Sequence, residues 1–329
     1  MLPLVDGFGR VATDLRVSVT DRCDLRCTYC MPAEGLDWTP RAQLLTDDEL
    51  VRLFGVAVSR LGVTDVRLTG GEPLLRPGLP ELIAQLAALT PRPRIALTTN
   101  GVRLAALAPS LAAAGLDRVN VSLDTLRPDR FLTLTRRVRL EQVLEGLEAA
   151  RTAFAGPVKV NTVLMRGVND DEAVELLGWA LDTGYALRFI EQMPLDAQHG
   201  WRREQMVTAE EILATLGSAY SLAPAPGRGA APAEEWLVDG GPATVGVIAS
   251  VTRPFCQACD RLRLTADGQV RNCLFAKDET DLRTLLRDGA DDDALVAAWL
   301  GAAASKRKGH GIGEPGFTQP DRPMSAIGG

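Results

Sequence analysis

Leu15-Arg-Val-Ser-Val-Thr20-Asp-Arg-Cys23-Asp-Leu-Arg-Cys27-Thr-Tyr29-Cys30-Met-Pro32 joins an apolar, β-branched run to a loop with three cysteines at C-x3-C-x2-C spacing. A strand that hands its chemistry to the loop at its carboxyl end is the unit of a parallel α/β sheet, where ligands gather at that end. Three thiolates this close can hold three corners of a cubic iron–sulfur cluster, and the fourth iron then needs another ligand. An iron left open in this way is a place for chemistry rather than for electron storage alone. A tetrahedral zinc site would ask for a fourth Cys or His nearby, and this loop has neither.

The alternation continues outward from this run. β-Branched stretches recur over residues 15–20, 65–69, 95–99, 119–123, 158–164 and 187–190, with helical patterns between them over 47–61, 79–89, 103–114, 140–154 and 171–182. Thr46 ahead of Asp47, Asp48 and Glu49 has the form of an N-cap with an acidic first turn. Gly62, Gly115 and Gly184 fall where helices should end. Six β–α units in series predict a parallel sheet, either doubly wound or curled into a partial barrel, and periodicity does not separate the two. In both, the strand ends form one rim. It carries Cys23, Gly70-Gly71-Glu72-Pro73, Thr98-Thr99-Asn100-Gly101, Ser122-Leu-Asp124 and Glu191-Gln-Met193. Glycine backbone and small polar groups around one rim describe a small-molecule site.

Composition narrows the class. The 329 residues, 46% hydrophobic, suffice for one large core or two moderate ones. With 36 basic and 42 acidic residues the net charge is −6, so no global basic field recruits nucleic acid. No apolar run approaches the roughly 20 residues that span a bilayer, and the opening Met-Leu-Pro-Leu-Val-Asp is not a secretion signal. The six cysteines fall into two triads with none left for a disulfide framework. That usage fits metal binding in a reducing compartment, and a cytoplasmic location is expected.

Beyond residue 217 the pattern changes. Residues 224–232, Pro-Ala-Pro-Gly-Arg-Gly-Ala-Ala-Pro, read as a flexible surface loop. Short strands over 236–238, 244–249 and 261–265 and helices over 281–286 and 293–303 follow, and the Gly- and Pro-rich tail, 309–329, has the composition of a disordered segment. Cys256-Gln-Ala-Cys259 and Cys273 make a second triad, C-x2-C-x13-C. Zinc completed by a remote histidine, His199 or His310, is the competing reading of that spacing. Two triads that both stop at three point instead to two clusters, each with an iron free to meet a small molecule.

Cations sit inside several apolar runs: Arg16 in Leu-Arg-Val-Ser-Val, Arg67 in Val-Arg-Leu-Thr, Lys159 in Val-Lys-Val-Asn, and Arg261 and Arg263 around Leu262. In strands covered on both faces such charges are costly unless an anion compensates them. For any single residue the anion can be an internal Asp or Glu. Five distributed towards one rim fit a polyanion such as a nucleoside triphosphate, although no G-x-x-x-x-G-K-[ST] segment is present.

C-x3-C-x2-C with Tyr29 before its last cysteine, followed by Gly-Gly-Glu-Pro, resembles the radical S-adenosylmethionine superfamily. The second triad in the setting Cys256-x2-Cys259-Asp-Arg261-Leu-Arg263-Leu-Thr-x-Asp-Gly, with the ending Met-Ser-Ala-Ile-Gly-Gly, resembles the MoaA-type GTP 3′,8-cyclase family of molybdenum-cofactor biosynthesis. The likeness runs from about Gly7 to Gly329 and leaves out the 224–232 stretch.

The resemblance implies an incomplete (β/α)6, TIM-like barrel over residues 8–217 and a C-terminal α+β region over 218–329 that covers its open side. It implies a 4Fe–4S cluster on Cys23, Cys27 and Cys30 whose fourth iron chelates S-adenosylmethionine, with Tyr29, Gly71, Ser122 and Met193 lining that cofactor. A second 4Fe–4S cluster on Cys256, Cys259 and Cys273 would face the guanine of GTP. Arg16, Arg67, Thr98, Lys159, Arg261 and Arg263 would bind GTP, and Gly328 and Gly329 would reach into the site. Reductive cleavage of the sulfonium would give a 5′-deoxyadenosyl radical that takes the ribose 3′ hydrogen, after which the sugar carbon attacks C8 of guanine. The expected partners are GTP, a flavodoxin- or ferredoxin-like one-electron reductant, the cyclic pyranopterin monophosphate synthase that receives the product, and a second copy in a homodimer. Neither nucleic acid nor membrane is expected. A radical enzyme acting on a peptide and a non-enzymatic electron carrier or zinc scaffold are the other readings. Arg261-Leu-Arg263 and the diglycine end favour the cyclase over the first, and triads of three rather than four cysteines disfavour the second.

Overall fold

The computed structural model describes residues 1–328; Gly329 and the role expected of it lie outside the described residues. Strand β1 (Asp14–Ser18) opens the series and helix α1 (Asp47–Ser59) follows the cysteine loop. Thr46 caps α1 as the sequence predicts: its hydroxyl accepts from the Glu49 amide at 3.2 Å while the Glu49 carboxylate accepts from the Thr46 amide at 2.8 Å. Then come β2 (Asp65–Thr69), α2 (Leu79–Ala87), β3 (Arg94–Thr99), α3 (Leu104–Ala113), β4 (Arg118–Ser122), α4 (Pro128–Thr135), α5 (Leu140–Ala153), β5 (Lys159–Val163), α6 (Ala173–Thr183) and β6 (Ala186–Ile190). Gly184 ends α6 in the left-handed conformation, φ 77°.

Strands β1 to β6 pair in sequence order, and every neighbouring pair is parallel. A doubly wound sheet needs a point where the order reverses. None exists here, so every crossover steps the same way, and right-handed connections then put all the helices on one face. A sheet covered on one face only curls around the other, which makes the partial barrel the correct choice. In β1 the alternation sends Leu15 and Val17 into the apolar layer under the helices, with Val66, Leu97, Val121, Val160 and Phe189 of the following strands. Arg16 faces the lumen.

The chain continues with α7 (Ala209–Gly217), β7 (Leu222–Pro224), β8 (Glu234–Val238), β9 (Thr244–Ile248), β10 (Arg261–Leu264), β11 (Gln269–Arg271), β12 (Thr280–Asp281), α8 (Leu282–Arg287), α9 (Asp292–Ala304) and α10 (Met324–Ile327). These C-terminal strands do not form a sheet of their own. β10 adds to β1 and β9 adds to β6, both parallel, so one twelve-stranded sheet runs through the molecule. No ladder among the described residues joins its outer strands, β12 and β7, so the curl stays open. Glu191, fully buried at the end of β6, fastens the seam. Its carboxylate accepts from the amides of Ala209, Val251 and Thr252 and from the Thr252 hydroxyl.

Six elements lie outside the sequence reading: α4, α7, α10 and the short strands β7, β11 and β12. α4 and α7 were not anticipated, although Thr208-x-x-Glu211 carries the capping-box signature and forms one. The tail, disordered by composition, ends in α10 with Ser325 and Ile327 buried. Its few apolar residues all pack, Ile327 and Met324 among Leu195, Met206, Val251 and Phe275, and window composition does not register that.

Candidate active site

The cysteine loop is held from two sides. On one, Gly71 donates to Thr20 O at 2.8 Å and Glu72 to Arg22 O at 2.7 Å. A Cβ on Gly71 would stand 2.3 Å from Arg22 O and 2.4 Å from Asp21 O. The loop's own carbonyls therefore demand glycine there. The Glu72 carboxylate accepts from the amides of Leu74 and Asn100 and from the Thr99 hydroxyl, which ties the ends of β2 and β3 together. On the other side, Arg26 and Thr28 donate their amides to Thr135 O and Leu134 O at the end of α4. The Arg136 guanidinium returns to Arg26 O and Met31 O at 2.9 and 3.0 Å.

All three cysteines of this loop line a cavity of about 340 Å³ at the carboxyl ends of the strands. Burial first, and then the neighbouring Glu72, pushes the Cys23 thiol up to about 12. Burial raises Cys30 to about 11, and Cys27 moves the same way. Three free thiols that resist ionisation on their own suit a positively charged iron core, which would draw the protons off. Tyr29 and Asp124 form the adjoining wall, the phenol donating to the carboxylate at 2.7 Å. Gly71, Ser122 and Met193 line the same space.

Cys256, Cys259 and Cys273 face the first triad across this cavity. Burial alone would raise the Cys259 thiol, but Arg261 and Lys306 outweigh it and bring it down to about 7. Both cations point at its sulfur, Arg261 Nε at 3.4 Å and Lys306 Nζ at 3.3 Å, and Lys306 also donates to Arg261 O at 2.6 Å. The sequence reading missed Lys306, since a lone lysine after a helix carries no local signal. His310 has both ring nitrogens engaged: the Ile312 amide donates to Nδ1, which leaves Nε2–H for Ser250 O. His199 is exposed. Neither histidine completes a zinc site in this arrangement. Among the described residues no three His, Cys, Asp or Glu side chains gather around a single ion.

Between the triads stands a row of like charges. Arg16 on β1 lies opposite Arg263 on β10 and Arg67 on β2, all buried or nearly so. Burial and the neighbouring Arg16 hold Arg67 and Arg263 down at about 9. The Nε atoms of Arg16 and Arg67 and Nη2 of Arg261 are buried without a hydrogen-bond partner among the described residues. Among the described residues Arg16 has only Asp14 as an ion-pair partner, 3.9 Å away. Arg188 on β6 belongs with them: its Nε is likewise unpartnered, burial brings it down to about 10, and it lines the cavity. Its signal, a cation inside Leu187-Arg-Phe-Ile190, is the one that singled out Arg16, and sequence reasoning passed over it. Thr98 lines the cavity too and accepts from Asn120 Nδ2 at 3.2 Å. Lys159 does not reach the lining. It is part-buried beside Arg188 and Arg118, which with burial lower it to about 8. Like charges facing one another in a buried lumen repel, and an anionic ligand would relieve that repulsion.

The tail enters this row. Gly328 takes φ 87°, and its carbonyl accepts from Arg263 Nη1. A Cβ there would stand 2.8 Å from Thr69 Cγ2 and 3.3 Å from Ser18 Cβ, so glycine is required for both space and conformation.

An open parallel barrel with a three-cysteine loop after its first strand defines a radical S-adenosylmethionine protein. Residues 17–180 match the Radical SAM superfamily model and residues 185–312 the Molybdenum Cofactor Synthesis C model. A Streptomyces coelicolor protein named GTP 3′,8-cyclase is 66% identical over 99% of this chain and 96% of its own length. A Mycobacterium tuberculosis protein named GTP 3′,8-cyclase 2 is 61% identical over 99% and 92%. The chain belongs to the GTP 3′,8-cyclase family. Among solved structures, Streptococcus suis SuiB bound to S-adenosylmethionine superposes with a TM-score of 0.62 over 95% of this chain and 77% of that one; at 12% identity the likeness is one of fold.

Proposed function

We propose that this chain is itself a GTP 3′,8-cyclase of molybdenum-cofactor biosynthesis, with S-adenosylmethionine at the first triad and GTP between the triads. The observation that carries the reading is the row of buried guanidiniums, several with a nitrogen that lacks a partner among the described residues, set between two incomplete cysteine triads. Cys23, Cys27 and Cys30 would hold one 4Fe–4S cluster and Cys256, Cys259 and Cys273 a second. With its cofactor bound, the first supplies the 5′-deoxyadenosyl radical that removes the ribose 3′ hydrogen.

The protein's own part is binding, orientation and shielding. Arg16, Arg67, Arg188 and Arg263 offer charge-assisted donors to the triphosphate, and leave repulsion behind when it departs. Arg261 borders the second triad and orients its Cys259. Tyr29, Ser122 and Met193 wall the cofactor side, and Tyr29 is fixed by Asp124. Met324 and Ser325 close the cavity from the tail, which keeps water from a radical. Residues 8–217 act as the radical core and 218–329 as the substrate-side region. The chain works in the cytoplasm as a homodimer. It takes electrons singly from a flavodoxin- or ferredoxin-like protein and passes its product to cyclic pyranopterin monophosphate synthase. No helix among the described residues is long and apolar enough to cross a membrane.

The test is anaerobic reconstitution followed by incubation with S-adenosylmethionine, reductant and either GTP or a peptide. About eight irons per chain are expected from two cubanes, with a cyclised nucleotide formed from GTP. Stoichiometric zinc at the second triad under strict anaerobiosis sinks the two-cluster reading. Cofactor cleavage that GTP never couples to product sinks the cyclase.

A further inference from the structure

The outer side of the first cysteine loop presents a second hollow, lined by Asp24, Val102, Arg103, Arg137, Arg139 and Gln142. Arg137 and Arg139 form no ion pair among the described residues, and the exposed Arg103 has only Asp24, 3.6 Å away. On a chain of net charge −6 this is a local reversal of sign. Val138 stands between Arg137 and Arg139 in the sequence and is 78% exposed; outside residues 1–11 it and Leu132, 46% exposed, are the only exposed large hydrophobic side chains among the described residues.

The patch is joined to the cysteines by few bonds. Arg137 to Arg139 follow Arg136, whose guanidinium grips Arg26 O and Met31 O, and α4 ends by accepting the amides of Arg26 and Thr28. At the hollow's other edge Asp24 adjoins Cys23 in sequence and accepts from Asn100 Nδ2, which lies 3.9 Å from the Cys23 sulfur. The cavity for cofactor and substrate faces the opposite side of the same loop.

We propose that this surface docks an acidic one-electron carrier protein, so that electrons enter behind the cysteine loop while substrate occupies its front. The proposal rests on the radical-enzyme reading, since only such a site consumes electrons singly. In the docked pair the carrier is oxidised by one electron and the cluster on Cys23, Cys27 and Cys30 is reduced by one. An acidic carrier is repelled by much of this acidic chain and attracted by Arg103, Arg137 and Arg139, so charge biases the orientation, and the exposed Val138 between two of these arginines adds apolar contact. Arg103, Arg137 and Arg139 steer and touch no reacting atom.

The experiment uses the reconstituted enzyme and two probes, an oxidised acidic flavodoxin and an acidic two-cluster ferredoxin. Affinity is measured by calorimetry at low and at high salt, without turnover. One or both probes should bind, more weakly as salt rises, and Arg103→Glu with Arg139→Glu should weaken binding by roughly tenfold or more. Val138→Ser should weaken it with the salt dependence unchanged. Cofactor cleavage driven by dithionite should match wild type in every variant, while cleavage driven by the reduced carrier should need more carrier. Binding of neither probe to wild type at low salt, or equal affinity in the double variant, overturns the docking surface. Dithionite-driven turnover of wild type with GTP reports separately on the cyclase reading, so the two failures are distinguishable. A double variant with a lowered melting temperature is replaced by Arg103→Gln with Arg139→Gln, for which a smaller loss in the same direction is required.

Discussion

Arg263 donates from its guanidinium to the carbonyl of Gly328, sixty-five residues further along the chain. The same Arg263 faces Arg16 across the β1–β10 ladder. The tail thus supplies a neutral acceptor to one of several cations crowded in the lumen, and fixes which way that cation points.

Gly328→Ala should disturb this contact at its source, because a Cβ would meet Thr69 and Ser18 and the residue would be left at positive φ. Removing the last two residues should have the same outcome. In the truncated protein both clusters and the melting temperature stay as in wild type; in both variants uncoupled cofactor cleavage persists and cyclisation stops. The assay is 5′-deoxyadenosine and cyclic product counted in one reaction mixture. A full-length rate of cyclisation in either variant would return the tail to a passive role.

Arg67→Met should act in opposite directions on two quantities. GTP affinity falls by about tenfold to a hundredfold, the effect of losing roughly 1.5–3 kcal/mol of charge-assisted hydrogen bonding. The melting temperature of the nucleotide-free protein rises, because a cation buried beside the like charge of Arg16 has been removed. A drop in both would mark Arg67 as a structural residue.

Lys159 gives the pH dependence. Its folded-state value of about 8 lies below the ordinary 10.5, so the unfolded chain binds more protons between them. Its contribution is fully present above the higher value and is lost as pH falls through about 8. Nucleotide-free wild type should therefore gain stability from pH 8 towards 10.5 through this group, and Lys159→Met should gain less because only the lowered arginines, Arg67, Arg188 and Arg263 among them, still contribute. Thermal melts across that range, wild type against variant, check the sign; equal slopes would falsify it.

The triads should separate by function. Cys27→Ala is expected to abolish cofactor cleavage, and Cys259→Ala to keep some uncoupled cleavage while losing cyclised product. Equal loss of cleavage in both, with the first cluster still present spectroscopically, contradicts the division of labour.

The parallel sheet was legible because each strand from β1 to β5 is followed by a local helical pattern, three of them with a glycine stop signal, as at Gly184. What local pattern could not show is that β9 and β10 join opposite edges of the same sheet, since pairings such as Leu15 with Leu262 depend on the whole fold. The cysteines and most of the lumen cations stood out because charge and thiol are anomalous inside apolar strands. Lys306 and the buried tail did not, for their meaning comes only from the sulfur and the guanidinium they meet in space. Lys159 was picked out by the same rule as Arg16, yet it lies outside the cavity lining.

The central claim is that the radical formed at the first triad acts on the ribose of a GTP held by the second. It is tested most directly with GTP deuterated at the ribose 3′ position, under anaerobic single-turnover conditions with the reconstituted protein. The account predicts deuterium in 5′-deoxyadenosine, matched by an equal amount of 3′,8-cyclised nucleotide. 5′-Deoxyadenosine free of deuterium, formed at the same rate without GTP and with no cyclised nucleotide, would contradict it.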